Sequence, residues 1–364
     1  MKSSNNWNEY LKTEIPIVGK IISQHGYALE EDQPHIKGER FLMQALTTAS
    51  GQKLILIGHD TDGRKVVIKA TSDKNAKGEL IHERTCRKLL HQIDFAYDIF
   101  HSPEELAFLS ESNYLVSIQK FINQDRQFLD RPLEEQFDYA LKSFKAQERA
   151  RATTHKHVKQ ITNTFGNRTS GDYLYIYENF IILLKQNDIP NTTLDLVKTG
   201  FHRLKSNQER IEQYSGFLTH TDFVPHNFRI YDNKLYLLDF SSLRFGNKHE
   251  SWARFLNFMT LYNPELENLL ITYVEKNRAP EERESLQLMR IFRLGEIITY
   301  YTNTLKNSAG DLLKLNQTRV KFWSNVLEAE LGNKRINRET VEAYKNNRDT
   351  LRSQDEKNRQ LGLH

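Results

Sequence analysis

Residues 218–243 read LTHTDFVPHNFRIYDNKLYLLDFSSL, and four polar residues in this stretch have the types and spacing of a phosphoryl-transfer site. His220 stands two positions before Asp222, Asn227 five positions after it, and Asp239 ends the apolar run at 235–238. Moving a phosphoryl group from a metal-bound nucleotide to a hydroxyl needs one carboxylate to orient or deprotonate that hydroxyl. It also needs an amide oxygen and a second carboxylate to hold magnesium against the phosphates. Taken singly, each residue has a structural explanation, since Asp and Asn favour turns by bonding nearby backbone. The ordered set says more. Residues 228–230, the Asp232-Asn233 pair and residues 235–238 read as strand, two-residue turn and strand. Asn227 precedes the first strand and Asp239 follows the second, close enough to share an ion.

His-x-Asp-x4-Asn followed by an apolar strand ending in Asp-Phe resembles the catalytic core of the aminoglycoside phosphotransferase and choline kinase-like group, distant relatives of the protein kinases. The resemblance implies an α+β, two-lobed protein kinase-like fold, with a small antiparallel β lobe and a larger, mainly helical lobe. It implies Asp222 as catalytic base, His220 as support for the catalytic loop, and Asn227 and Asp239 as Mg2+ ligands. The donor it implies is ATP, in preference to GTP.

A second constellation lies upstream. Residues 52–58 (QKLILIG) and 65–70 (KVVIKA) read as strands joined by the turn Asp60-Thr61-Asp62-Gly63. Lys69 ends the second strand and resembles the kinase lysine that reaches the nucleotide phosphates and pairs with a glutamate on the next helix. That helix is expected from about 78 to 92, with Leu80, Cys86, Leu89 and Leu90 on its apolar side. Glu83 is the first choice of partner and Glu79 the second. They lie one turn apart on the same face, and the sequence does not separate them.

The segment between strands at 41–46 and 52–58 is Thr47-Thr48-Ala49-Ser50-Gly51, with one glycine and no Gly-x-Gly-x-x-Gly. Its backbone N–H groups and the hydroxyls of Thr47, Thr48 and Ser50 are the candidate phosphate contacts. Such a poor loop leans away from the protein kinases, as does Val224, where a Ser/Thr protein kinase carries lysine. Thr221 replaces the usual glycine of the resembled loop, and His226 replaces a residue that is often small. Residues 114–122 (YLVSIQKFI) read as the last strand of the small lobe. The resemblance makes the hinge backbone there, from Gln119 to Phe121, the edge that meets the nucleotide.

Strands with one helix up to about 122, then mostly helices, indicate segregated lobes and not a repeating β-α-β design. The expected division is a nucleotide-binding lobe over 1–122, including an N-terminal helical extension. A helical lobe over 123–364 follows, holding the catalytic loop, the metal site, the acceptor site and a charged tail. A chain of 364 residues, 38% hydrophobic, is long enough to bury the core this requires. Asp130, Pro132 and Glu134 signal a helix start, and Leu133, Phe137, Ala140, Leu141 and Phe144 recur at helical spacing. The helix is expected to continue through 142–159, where six Lys or Arg stand against one Glu. That run reads as a solvated face, and a net charge of +4 lacks the bias of a dedicated nucleic-acid binder. His155 and His157 are two apart, which suits no helical zinc pair.

Tyr173, Tyr175, Tyr177 and Phe180 are expected to pack. Residues 250–259 resemble the helix after the metal strand, with Glu250 or Ser251 where relatives often carry Asp. Residues 269–274 and 291–301 read as core helices, with Glu296, Tyr300 and Tyr301 in the region from which relatives build acceptor pockets. The tail from 333 is charged, helical and expected to lie in solvent or in partial disorder. A single cysteine, Cys86, suits a reducing cytoplasm, and no apolar run reaches the length of a membrane span. The machinery points to a small-molecule kinase. Aminoglycoside, choline or other amino alcohol, sugar and nucleoside acceptors all remain open. A nucleotide-binding regulator or scaffold with little turnover is the alternative.

Overall fold

The computed structural model describes residues 7–33, 53–92, 101–150, 155–187, 189–352, 354 and 357. The first part of the chain contains α1 (Trp7–Ser23), β1 (Ala28–Leu29), β2 (Leu54–His59), β3 (Lys65–Thr71), α2 (Lys74–Gln92), β4 (Glu105–Glu111) and β5 (Tyr114–Lys120). The strands form one antiparallel sheet in the order β1-β2-β3-β5-β4.

Strand alternation divides this sheet chemically. Leu54, Leu56, Val66, Ile68, Ala70, Val116 and Ile118 share one face, none more than 1% exposed. α1 covers that face with Tyr10, Leu11, Val18, Ile21 and Ile22, and keeps Pro16 on its exposed side. The N-terminal extension is therefore the roof of the sheet. On the other face Ile55, Lys69 and Ser117 are direct cross-strand neighbours, and Val67 stands beside Gln119.

β4 was not expected. Its half-exposed residues lack a clean apolar alternation, and a two-residue turn with Ser112 and Asn113 both at positive φ joins it to β5. α2 starts at Lys74 and not near 78, because the Asp73 carboxylate accepts the backbone N–H groups of Asn75 and Ala76. Cys86 and Leu89 on α2 belong to the larger core of the helical part, so this helix joins the two cores. Burial, with Glu83 nearby, pushes the Cys86 thiol up to about 12, as befits a packed side chain.

The helical part comprises α3 (Leu133–Arg149), α4 (His155–Phe165), α5 (Ser170–Lys185), α6 (Asn191–Ser206), α7 (Gln208–Gln213), α8 (Glu250–Tyr262), α9 (Pro264–Asn277), α10 (Pro280–Leu305), α11 (Gly310–Leu331) and α12 (Arg338–Leu351). The helix expected to continue to 159 stops at Arg149, where the Ala150 carbonyl is taken by the Leu218 amide. Tyr173 and Tyr177 are fully buried, but Tyr175 is 68% exposed. Gly200 and Gly295 make room for Tyr177, since a Cβ at either would collide with its ring. The tail is less exposed than expected: α12 buries Val341 and Tyr344, and Tyr344 stacks on Phe322 at 4.1 Å. No helix among the described residues is long and apolar enough to cross a membrane.

Candidate active site

Two short antiparallel pairs carry the site. β6 (Phe217–His220) pairs with β9 (Leu243–Gly246), and β7 (Phe228–Tyr231) with β8 (Lys234–Leu237). The turn between β7 and β8 has Asp232 and Asn233 both at positive φ, the conformation that matches strand twist in a two-residue hairpin. The Leu238 amide donates to the Asn227 carbonyl at 2.8 Å, so the open end of this hairpin holds Asn227 beside Asp239. Asp239 lies in the left-handed region (φ 57°, ψ 62°) and opens a short helical turn over Phe240–Ser242.

Asp222 follows β6 on a loop that ends in the turn Pro225–Asn227. Its Oδ1 accepts two hydrogen bonds from Arg254 on α8, from Nε at 3.0 Å and Nη2 at 2.8 Å. Its Oδ2 accepts one from Asn227 Nδ2 at 3.0 Å, and that same Nδ2 reaches the Asp222 carbonyl at 2.9 Å. The Asp222 side chain remains 41% exposed. Burial of the group pushes its carboxyl up, but the Arg254 charge and hydrogen bonds, with His220 and Arg293, bring it down to about 2.

His220 is fully buried. Its Nε2 lies 3.0 Å from the Asp239 carbonyl oxygen and 3.2 Å from that of Leu238, while its Nδ1 is buried without a partner. Two carbonyl acceptors require a proton on Nε2, and burial holds the ring's pKa below its ordinary value against the pull of Asp239 and Asp222. The backbone N–H of His220 donates to Ser251 Oγ at 2.8 Å.

Asn227 and Asp239 have the chemistry of a metal-binding pair. With Nδ2 spent on Asp222, the Asn227 Oδ1 is left as the acceptor. Asp239 is held by the hydroxyls of Ser241 and Ser242. Burial pushes the Asp239 carboxyl up, but Lys69, Ser241 and His220 together hold it below its ordinary value. An amide oxygen and an ionised carboxylate are the hard donors magnesium takes, usually one or two with substrate phosphates completing the shell. No group of three or more His, Cys, Asp or Glu among the described residues is arranged to hold a metal.

On the sheet, Lys69 Nζ meets Glu83 Oε1 at 2.6 Å and Oε2 at 2.8 Å, with side chains 10% and 5% exposed. Glu79 goes instead to Lys53 at 3.3 Å. The Gln119 side chain is buried and its Nε2 donates to Ser117 Oγ at 3.4 Å. The amides of Lys120 and Phe121 bond to the carbonyls of Glu104 and Lys65, which spends those two donors inside the sheet. Thr47, Thr48 and Ser50 lie outside the described residues.

Behind the loop that carries Asp222 is a charge network the sequence did not announce. Glu250, fully buried at the start of α8, accepts from Tyr173 Oη at 2.6 Å, Arg168 Nη1 at 3.0 Å and Arg293 Nη1 at 3.3 Å. Arg293 also donates to the Thr221 carbonyl and pairs with Glu296 at 2.7 Å. Glu250 thus braces the loop through Arg293, and Ser251 does so through His220. Arg254 was missed as well. An arginine on a helix face has no local signature of the carboxylate it will meet, and only its position one turn after Glu250 set it apart.

No family model matches the sequence, and no curated protein matches it. The structure is similar to that of aminoglycoside phosphotransferase APH(4)-Ia, 15% identical, with a TM-score of 0.58 over 86% of this chain and 98% of that one. It is similar to macrolide 2'-phosphotransferase type I, 14% identical, with a TM-score of 0.55 over 84% and 96% of the two chains. It is also similar to ADP-bound aminoglycoside phosphotransferase APH(2'')-Ib, 14% identical, with a TM-score of 0.51 over 77% and 92%. The fold is the kinase-like α+β fold of these phosphotransferases, a small antiparallel sheet with a larger helical part.

Proposed function

We propose that this chain transfers the γ-phosphoryl group of ATP to a hydroxyl of a small molecule, with magnesium. The observation that carries the reading is the meeting of Asp222, Asn227 and Asp239 at one hairpin end, where Asn227 bonds the Asp222 carboxylate and its carbonyl takes the amide of Leu238, the residue before Asp239, with Lys69 near enough to stabilise the Asp239 carboxylate. Fold supports it: APH(4)-Ia, whose fold this chain shares, forms ternary complexes with ADP and hygromycin B.

Under this reading residues 1–122 bind the nucleotide, and 123–364 supply the catalytic loop, metal ligands and acceptor site. Lys69, oriented by Glu83, draws the phosphates against the sheet, and Gln119 to Phe121 border the base. Thr47, Thr48 and Ser50 are the proposed phosphate-loop contacts. Asn227 Oδ1 and the Asp239 carboxylate hold magnesium, which neutralises charge on the phosphates when bound. Asp222 Oδ2 accepts the acceptor hydroxyl and aims its oxygen at the γ-phosphorus. A carboxyl brought down to about 2 is a weak base. Asp222 works by orienting the hydroxyl, as fits chemistry that rests on positioning and electrostatics.

The test is ADP release by the purified protein with magnesium and ATP across a library of hydroxyl compounds. One acceptor class should raise release well above the no-acceptor background, and Asp222→Asn should cut that turnover by ~10²–10⁴ while leaving nucleotide affinity unchanged. Nucleotide binding with no acceptor response across the library would favour a regulator or scaffold.

A further inference from the structure

Arg254 has no role in the reading so far, yet it makes the most directed contact in the site. It reaches Asp222 from 32 positions away in sequence, with Nε and Nη2 both aimed at one oxygen, Oδ1. Both donors on one atom leave that oxygen no room for an incoming hydroxyl. Oδ2 carries the single Asn227 bond and keeps a lone pair open. The arginine is itself held: its side chain is 23% exposed, and the charge of Glu296 from α10 favours its ionised form after that of Asp222.

The groups facing Asp222 come from several elements: His220 on β6, Asn227 on the loop, Arg254 on α8 and Arg293 on α10. Among these described residues, Arg254 and Asn227 make the side-chain hydrogen bonds to the carboxylate, and Asn227 takes the other oxygen. Losing the Arg254 fork would leave χ2 of Asp222 governed by one amide bond, and a displacement of 1 Å at such a group costs about 10²-fold in rate.

We propose that Arg254 is a positioning residue for phosphoryl transfer: it occupies Asp222 Oδ1 so that Oδ2 alone is presented to the acceptor hydroxyl. The proposal rests on the reading of Asp222 as the residue that receives that hydroxyl. A planar guanidinium is suited to this where lysine is not, because two fixed donors set the rotation of the carboxylate and a single ammonium does not.

The experiment uses magnesium-ATP hydrolysis, with water as the acceptor, on the full chain in four forms: wild type, Arg254→Ala, Asp222→Asn and the double variant. Arg254→Ala should lower kcat by about 10²-fold and leave KM for ATP within about twofold, as expected for a group that acts on orientation alone. Guanidinium ion in the buffer should restore part of the rate, and Arg254→Lys should lie between wild type and Arg254→Ala. The double variant should be no slower than Asp222→Asn. Independent, additive losses would place the action of Arg254 elsewhere and overturn the proposal, as would a loss of ATP binding in Arg254→Ala and Arg254→Lys alike. If Asp222→Asn hydrolyses ATP like wild type, the reading of Asp222 falls first and the proposal with it.

Discussion

The imidazole of His220 donates its Nε2 hydrogen to the backbone carbonyl of Asp239, 19 positions away, at 3.0 Å. One ring thereby ties the catalytic loop to the residue in the left-handed conformation, where a non-glycine residue costs roughly 1–2 kcal/mol. His220→Ala should release that strain, let Asp239 drift and lower turnover by about 10²-fold. The loss should be accompanied by weaker ATP binding only when magnesium is present. The ring also sets a pH dependence. Its folded pKa is depressed by burial, so the unfolded chain binds the proton first, near pH ~6.5. The contribution of neutral His220 is complete above that value and is lost as pH falls toward the folded pKa. Thermal melts between pH 5 and 8 should show a steeper acid-side loss for wild type than for His220→Gln, and parallel curves would discount the buried neutral ring.

Lys69 and Glu83 are a buried pair, and breaking such a pair from one side costs about 3–5 kcal/mol. Glu83→Ala should therefore lower the melting temperature clearly. Lys69→Met with Glu83→Leu should recover most of that stability while nucleotide affinity stays lost. Chemical denaturation of the three variants, read beside ATP titrations, separates the structural effect from the binding effect.

Asp239→Ala should abolish turnover and weaken ATP affinity with magnesium present, leaving metal-free affinity near that of wild type. Asn227→Ala should do the same and also loosen Asp222, through the lost Nδ2 bonds. Calorimetric titration with and without magnesium decides it. An equal loss in both conditions would make Asp239 a structural residue.

Glu250 offers a control that touches none of the proposed nucleotide or metal ligands. Removing its carboxylate takes from the half-buried Arg168 and the buried Arg293 the counter-ion they share, leaving Arg293 with Glu296 alone, at a cost on the order of 3 kcal/mol. Glu250→Ala should thus unfold at markedly lower denaturant than wild type. Glu250→Gln, which keeps the shape and the Tyr173 contact, should fall between. A Glu250→Ala variant as stable as wild type would rule out the network as a brace.

How much of this was readable depended on distance along the chain. His220, Asp222, Asn227 and Asp239 fall within one loop and hairpin, where turn chemistry and strand alternation are local properties, so their order already implied their meeting. Lys69 was readable to within one helical turn of its partner, because a helix face presents Glu79 and Glu83 alike. Packing sent Glu79 to Lys53 and left Glu83 for Lys69. α12 was misjudged because Val341 and Tyr344 are too few to mark a buried face until Phe322 is known to lie against them. The second layer of the site was silent in the sequence. Arg254 meets Asp222 across 32 positions, Ser251 meets His220 across 31, and Arg168 meets Glu250 across 82. A hydrogen bond between such residues exists only after α5, α8 and α10 have packed around the loop. Its strength depends on the low dielectric and fixed geometry of the packed site, and neither is a property of any segment alone.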